Sequence, residues 1–209
     1  MSQVIYRKLV KEDYNSIKEL ICEAFGFREF IKSEKLLDRI LTLYLYGCIC
    51  DSSFSKVAVK DDKVIGIILG KANVDKHHVG NTRDRLDYFL NIIKIAFTKK
   101  EARKVLKEFS KLTETYKEII AGKESYFQGA IQLFIVSKEC RGLGVGKALV
   151  AHVFDYMHSM DVKSLYLYTD SRCNYGFYDS QNFKRIGEKK IYFNSLNNSL
   201  DVFLYKYDL

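Results

Sequence analysis

The sequence predicts one domain of mixed α-helices and β-strands. Its 209 residues suit a single domain, and 47% of them are hydrophobic, which is enough for a sizeable core. Segments rich in β-branched and aromatic residues alternate with segments of helical period, in the order β-α-α-β-β-helices-β-α-β-α-β-β. We therefore expect residues 1–209 to form one α/β domain without internal repeats or long linkers.

The N-terminal third of the chain predicts one strand and two helices. Residues 3–10 alternate in polarity, as a strand does, and residues 11–26 place apolar side chains at helical spacing up to Gly26, a typical helix stop. The segment 33–47 repeats the helical pattern and begins at Ser33, a favourable N-cap.

The central part predicts a hairpin, a helical insertion and a buried strand. Two apolar runs within 54–73 are separated by "KDDK", a hairpin signature. Residues 82–121 have helical character throughout, which predicts an insertion that ends near Gly122. The run 129–137 is almost entirely apolar and predicts a strand that is buried on both faces.

The C-terminal part predicts alternating helices and strands. A helix follows the glycine-rich segment, a strand covers 163–170, and "NYGFYDSQNF" indicates a short helix that ends at Asn182. Two closing strands over 184–193 and 200–208 are joined by "NSLNNS".

Charge and composition narrow the class of protein. The net charge is +8, but basic and acidic residues alternate and no dense Lys/Arg run occurs, so we expect no nucleic-acid partner. The N-terminus has no signal-peptide pattern and no segment approaches the roughly 18 apolar residues of a membrane helix, so we expect a cytoplasmic protein without membrane contact. The five Cys lack zinc-type spacing, and His77 and His78 suit a surface loop, so we expect no metal.

The segment "VSKECRGLGVGKAL" indicates an anion site. Gly142, Gly144 and Gly146 lie between a predicted strand and a predicted helix, and Arg141 and Lys147 flank them. Backbone N–H groups at a helix start attract anions, and glycine lets phosphate oxygens approach the backbone closely. A tight turn alone would not need three spaced glycines between two cations. The loop is therefore predicted to bind a phosphate or pyrophosphate.

Two familiar phosphate loops match this segment poorly. The P-loop pattern G-x-x-x-x-G-K-[ST] would need glycine at Arg141 and Ser or Thr at Ala148. The dinucleotide pattern G-x-G-x-x-G directly follows a strand, whereas here the spacing is G-x-G-x-G and "SKECR" intervenes. One feature favours the dinucleotide pattern, since Asp170 closes the next strand at about the expected distance.

The segment resembles the acetyl-CoA loop of the GNAT superfamily of N-acetyltransferases, whose signature is R/Q-x-x-G-x-G/A. A second match lies downstream, where "GFYDSQNF" resembles the family pattern F-Y-x-x-x-G-F at Phe177, Tyr178 and Phe183. Two departures are visible, because Lys138 stands at the family's usual Pro and Asn182 at its usual Gly. The resemblance covers most of the chain and leaves out 82–121.

The resemblance implies a fold and an activity. The fold would be a mixed, mostly antiparallel central sheet flanked by helices, with the helical insertion before the cofactor-binding strand. The activity would be transfer of an acetyl group from acetyl-CoA, as co-substrate, to a primary amine of a small-molecule or peptide acceptor in a ternary complex. A homodimer is compatible with the sequence. A non-catalytic module that binds acyl-CoA stays open as an alternative.

The resemblance also implies roles for particular residues. The strand before the loop would bind the pantetheine arm through Phe134, Ile135 and Val136, and the Val136 N–H could polarise the thioester carbonyl. Tyr178 would protonate the departing thiolate. Asn174, one helical turn before Tyr178, would bond the pantetheine arm, although the family's usual Asn falls at Ser171. The pyrophosphate would lie on the loop, at Arg141, Gly142, Leu143, Gly144, Val145, Gly146 and Lys147.

Other roles stay open at the level of sequence. The general base could be Glu124, Asp170 or a chain of waters, since the strand before the loop offers only Gln132. Tyr178 could instead be a core aromatic, and Cys140 suits packing more than catalysis. We expect residues 82–121 to cover the acceptor side of the cleft.

Overall fold

A computed structural model describes residues 3–96, 100–193 and 198–209, apart from the side chains of 96, 100–106, 108 and 109. Its centre is a seven-stranded sheet in the order β1-β2-β3-β4-β5-β7-β6. The strands are β1 Ile5–Arg7, β2 Phe54–Lys60, β3 Lys63–Ala72, β4 Gly129–Val136, β5 Ser164–Asp170, β6 Lys184–Phe193 and β7 Asn198–Asp208. Only β4 and β5 pair in parallel. The predicted mixed, mostly antiparallel sheet is confirmed.

Helices cover both faces of this sheet. They are α1 Tyr14–Phe25, α2 Phe27–Phe30, α3 Glu34–Cys50, α4 Thr82–Ala96, α5 Lys100–Ile120, α6 Val145–Ser159 and α7 Gly176–Ser180. The helical character predicted for 82–121 is thus found in α4 and α5. Residues 97–99, which join them, lie outside the described residues.

The residues that the sequence predicted as caps and turns adopt the expected conformations. Gly26 adopts a left-handed conformation (φ 64°) where α1 ends, and the Ser33 hydroxyl accepts a hydrogen bond from the Leu36 N–H at the start of α3. Asp61 and Asp62 have φ of 49° and 58°, as a two-residue hairpin turn of type I′ requires. Asn182 follows α7 with φ 63°, the left-handed conformation expected there.

The core is divided between the two faces of the sheet. On one face, α6 packs Leu149, Val153 and Met157 against apolar side chains of β3 and β5. On the other face, α1 and α3 cover β2, β3 and β4, and α5 covers β6 and β7. Because strand side chains alternate between faces, each face can be assigned to its own set of helices.

The closing hairpin differs slightly from expectation. Strand β7 begins at Asn198, two residues before the predicted start, and residues 194–197 of the predicted connection 194–199 lie outside the described residues. Among the described residues, no helix is long and apolar enough to cross a membrane. Nor does that part of the chain contain a group of three or more His, Cys, Asp or Glu placed to hold a metal ion.

Candidate active site

Strands β4 and β5 separate after three residue pairs. Gly129, Ala130 and Ile131 pair with Leu165, Tyr166 and Leu167, and beyond this point the two strands share no pairing although both continue. A β-bulge lies at the branch point, because Leu69 faces Leu133 and Gly70 faces Ile131, which leaves Gln132 without a partner in β3. Bulges bend and twist a strand, so this one turns the end of β4 away from β5.

The end of β4 presents free backbone groups to the gap. The Ser137 N–H donates to the Ile65 carbonyl over 2.8 Å. Bonding alternates along an antiparallel pair, so the groups of Ile135 also face β3, whereas those of Phe134 and Val136 point away from it. We call the gap where β4 and β5 diverge the splay. Of the three residues predicted to bind the pantetheine arm, Phe134 and Val136 therefore offer N–H and C=O groups in the splay.

The glycine loop joins β4 to α6. Gly142 and Gly144 have φ of 80° and 77°, and a Cβ at either position would meet no heavy atom within 4 Å. Gly144 is the N-cap of α6, and the Ala148 N–H donates to its carbonyl over 3.0 Å. From Gly142 to Lys147, no backbone amide finds an acceptor within the described part of the chain. The loop is thus an open cradle of unpaired donors at a helix start.

The loop also concentrates positive charge. Lys138, Arg141 and Lys147 line the same cavity as the glycines and are exposed. None of the three forms an ion pair with another described residue. Together with the α6 dipole, these cations give the loop the electrostatics of an anion site.

A cavity of about 590 Å³ runs from this loop through the splay. At one end it is lined by the loop, Phe134, Phe177 and Tyr178, which pack on the face covered by α6. At the other end it is lined by Tyr116 and Tyr168, which belong to the face covered by α5. The gap between β4 and β5 therefore connects the two faces of the sheet, and two ligands could meet there from opposite sides.

Tyr178 lies in α7 and is buried, with its ring among Phe134, Phe183 and Tyr205 at centroid distances of 5.5–6.2 Å. Its hydroxyl forms no hydrogen bond with any described residue. Burial raises the pKa of Tyr178 well above its ordinary value, and the nearby Cys173 and Asp170 raise it further. The side chain therefore keeps its proton at neutral pH.

The position of α7 is fixed by a short polar network. The Tyr205 hydroxyl donates to Oδ1 of Asp179 over 2.8 Å and accepts from the Arg185 guanidinium over 2.9 Å. The same guanidinium lies 4.0 Å from the centroid of the Phe203 ring. The network ties α7 to β6 and β7, so it holds the Tyr178 ring against the cavity.

Asp170 closes β5 and is 6% exposed. It accepts a hydrogen bond of 2.8 Å from the Arg172 N–H, yet burial raises its pKa above the ordinary value. Its neighbour Cys173 also lines the cavity, and burial followed by the charge of Asp170 raises the pKa of that thiol to about 12. The site thus combines a carboxylate with raised proton affinity and a thiol that stays protonated.

The predicted site residues come together in this cavity with two exceptions. The loop residues, β4, Asn174 and Tyr178 all line it, whereas the Leu143 side chain lies outside its lining and is 59% exposed. Of the two acids considered as general base, Asp170 lines the cavity, and Glu124 is exposed outside its lining.

Sequence reasoning missed the far end of the cavity. Phe25, Tyr44, Tyr116 and Tyr168 line it, and they come from α1, α3, α5 and β5. No local motif connects these positions, which are far apart in the chain. The one available signal was the expectation that the segment 82–121 covers the acceptor side, and Tyr116 belongs to that segment.

Comparison with known proteins agrees with this geometry. Residues 95–183 match the model of the acetyltransferase (GNAT) family. Similar solved structures include one from Desulfovibrio desulfuricans, solved as an acetyltransferase of the GNAT family, with 15% identity, 99% of both chains covered and a TM-score of 0.54. An agmatine N-acetyltransferase has 9% identity, 99% coverage of both chains and a TM-score of 0.59. A ribosomal-protein-alanine N-acetyltransferase from Brucella melitensis has 15% identity, covers 98% of this chain and 99% of its own, and has a TM-score of 0.56.

At these identities the likeness to solved structures shows the fold, and no curated protein sequence matches the chain. The splayed sheet and glycine loop define a domain of the GNAT type. The match to the GNAT family model covers residues 95–183, and the described part of the chain has the GNAT fold.

Proposed function

We propose that the protein is an N-acetyltransferase that transfers an acetyl group from acetyl-CoA to a primary amine. The observation that carries the proposal is the free edge of β4, which leads directly into a loop of unpaired amides. Coenzyme A has an amide-containing arm that can pair with Phe134 and Val136. Its pyrophosphate suits the cradle from Gly142 to Lys147, flanked by Arg141.

The acceptor enters from the other face of the sheet in this proposal. Two structural neighbours are named for acetylation of agmatine and of a ribosomal-protein alanine, which are both amines. Because Tyr116 of α5 lines the cavity, we also propose that 82–121 is an insertion within a single domain and shapes the acceptor side.

The reaction we propose is direct transfer with both substrates bound. The amine nitrogen forms a bond to the acetyl carbon while the C–S bond breaks, and the Val136 N–H donates to the carbonyl oxygen. The amine loses a proton to Asp170, whose raised pKa suits a general base better than an ordinary carboxylate. Tyr178 donates to the departing sulfur, which leaves as the thiol.

Cys173 supports direct transfer over an acyl-enzyme. A cysteine nucleophile reacts as its thiolate, and a pKa of about 12 leaves very little thiolate at neutral pH. The Cys173 thiol is therefore a poor acyl carrier, which favours attack of the amine on the thioester itself.

The substitution Tyr178→Phe tests the proposal, because it keeps the ring and removes only the hydroxyl. Single-turnover release of thiol in the presence of an amine panel should slow by about 10²–10⁴-fold, with little change in affinity for acetyl-CoA. Tyr175→Phe is a matched control, since Tyr175 lies next to α7 but outside the cavity lining. Near wild-type turnover in Tyr178→Phe, with chemistry rate-limiting, would remove Tyr178 from the mechanism.

The wild-type protein provides the test of activity itself. Amine-dependent release of thiol from acetyl-CoA would support the enzyme. Tight binding of acetyl-CoA without release for any amine would identify a non-catalytic acyl-CoA-binding module instead.

A further inference from the structure

The end of the cavity beyond the splay is an aromatic pocket with one acid, formed by Phe25, Tyr44, Tyr116, Tyr168 and Asp170. The rings of Tyr116 and Tyr168 stack at 4.1 Å with an interplanar angle of 11°. Those of Phe25 and Tyr44 meet edge to face at 5.5 Å. The aromatic pocket therefore has walls of ring faces and edges on two sides.

The charge of Asp170 reaches the side chains of Tyr44 and Tyr116 in this pocket. The charge of Asp170 contributes to the raised pKa of both Tyr44 and Tyr116, although burial is the larger cause in each case. The Tyr168 hydroxyl is used elsewhere, because it donates to the Tyr116 carbonyl over 2.8 Å and ties α5 to β5. Asp170 thus lines the same cavity as Tyr44 and Tyr116, where a ligand against these rings would meet its charge.

The pocket contains one carboxylate among the described residues, and no described ion pair joins it to a cation. Asp170 is the only acid among the described residues that line the cavity, and none of the described ion pairs includes it. Arg172 also lines the cavity, and its charge opposes the rise in the pKa of Asp170, but its guanidinium pairs with Glu29 of α2 and lies 4.9 Å from the centroid of the Phe30 ring. A buried carboxylate without a cationic partner favours a ligand that brings one.

The aromatic side chains determine which kind of ligand body, attached to that cation, fits the pocket. Ring faces attract an ammonium group within about 6 Å, and they also bury flat apolar surface efficiently. A second ammonium would find no second carboxylate in the described lining, and a carboxylate on the ligand would be repelled by Asp170. The pocket is therefore complementary to one positive charge on an apolar body.

We propose that the acceptor is a monoamine, with a single ammonium group on an aromatic or similarly flat apolar body, bound by Asp170 and the tyrosines of this pocket. This inference rests on the proposed acetyl transfer and names its substrate class. The ammonium lies against Asp170 and gives it one proton, which passes to solvent before the neutral amine attacks, so that Asp170 can accept the second proton as the amide forms.

Binding measured without turnover tests the pocket separately from the reaction. The protein is saturated with coenzyme A, which has no acetyl group to transfer, and amines are titrated by calorimetry. Phenethylamine should bind at least about 10-fold more tightly than ethanolamine, putrescine or glutamate, and 2-phenylethanol should bind weakly because it lacks the charge. Tighter binding of putrescine or glutamate than of phenethylamine would overturn the proposal.

Two variants test whether this pocket is where phenethylamine binds. Asp170→Asn should weaken phenethylamine binding by about 10–100-fold, and Tyr116→Leu by about 3–30-fold. Tyr126→Leu is the matched control, because Tyr126 is 67% exposed and outside the cavity lining, and it should change nothing. Melting curves identify any variant that fails to fold. Unchanged phenethylamine affinity in a folded Asp170→Asn protein would refute the inference.

The two proposals can fail independently. If phenethylamine binds with this dependence on Asp170 but no thiol is released from acetyl-CoA, the pocket inference stands and acetyl transfer fails. If other amines are acetylated while phenethylamine does not bind, acetyl transfer stands and the monoamine inference fails.

Discussion

The glycine loop gives the sharpest test of where a CoA pyrophosphate would bind. Gly144 has φ 77°, and a Cβ there would point into open space within the cavity. The pair Gly144→Asp and Gly144→Asn adds side chains of nearly equal shape that differ by one charge. Both variants accept a left-handed conformation at a cost of about 1 kcal/mol, so each should lower the melting temperature by roughly 2–4 °C.

The charge separates the two variants in binding. A carboxylate about 5 Å from one phosphate charge costs ~1–3 kcal/mol for an effective dielectric constant between 80 and 20. Gly144→Asp should therefore bind CoA about 5–150-fold more weakly than Gly144→Asn at low salt. This difference in CoA affinity between the two variants should become smaller as ionic strength rises, because the added charge lies at an exposed loop and is screened.

Calorimetric titration of CoA at two salt concentrations measures this difference. Gly122→Asp is the control, because Gly122 has φ 76°, open space around its Cβ position and no place in the cavity lining. It should lose similar stability and keep its affinity for CoA. Equal affinities of Gly144→Asp and Gly144→Asn at low salt would show that the loop does not hold the phosphates.

Three further variants probe the surroundings of the site. Asp170→Asn should raise the melting temperature at neutral pH, because burial raises the folded-state pKa of Asp170 and penalises its ionised form. This gain in melting temperature should become smaller as the pH falls through the folded-state pKa of Asp170. Gly187→Ala should destabilise by about 1–3 kcal/mol and alter amine binding, because its Cβ would lie 2.6 Å from the Ile119 side chain and displace α5. Arg7→Met should destabilise by about 1–3 kcal/mol, since it removes two hydrogen bonds of 2.6 and 2.7 Å to the buried Asp13.

Melting curves and amine titrations check these three. A lower melting temperature for Asp170→Asn across the whole pH range would contradict the burial penalty. Unchanged amine affinity in a destabilised Gly187→Ala protein would show that α5 does not contribute to amine binding. Arg28→Met is the control for Arg7→Met, because the Arg28–Glu34 pair is mostly exposed and should contribute under about 1 kcal/mol.

The open glycine loop at the start of α6 could be predicted from sequence because its physics is local. Three glycines, two cations and a following helical pattern occupy neighbouring positions, and backbone amides at a helix start need no distant partner. The same holds for the Asp61–Asp62 turn and the Ser33 cap. The bulge at Gln132 could not be predicted, because it depends on the pairing of β4 with β3, which the apolar run alone does not determine.

The aromatic pocket could not be predicted for a related reason. Tyr44, Tyr116 and Tyr168 become neighbours only after α3 and α5 pack on the face of the sheet to which Tyr168 of β5 points. Each of them also fits a core position of its own element, so periodicity alone assigns it to packing. Their shared role depends on the sheet topology, which places α5 on the same face as α1 and α3.

Asp170 connects stability to the proposed chemistry. A carboxylate that is 6% exposed and forms no ion pair with a described residue is unfavourable for folding. The same burial raises its affinity for a proton, which is what a base facing an ammonium needs near neutral pH. When a cationic amine occupies the pocket, it supplies the missing countercharge, so it should stabilise the protein more than a neutral isostere does. The buried acid therefore favours the bound state over the free one, and its penalty in the free protein is consistent with a binding and catalytic role.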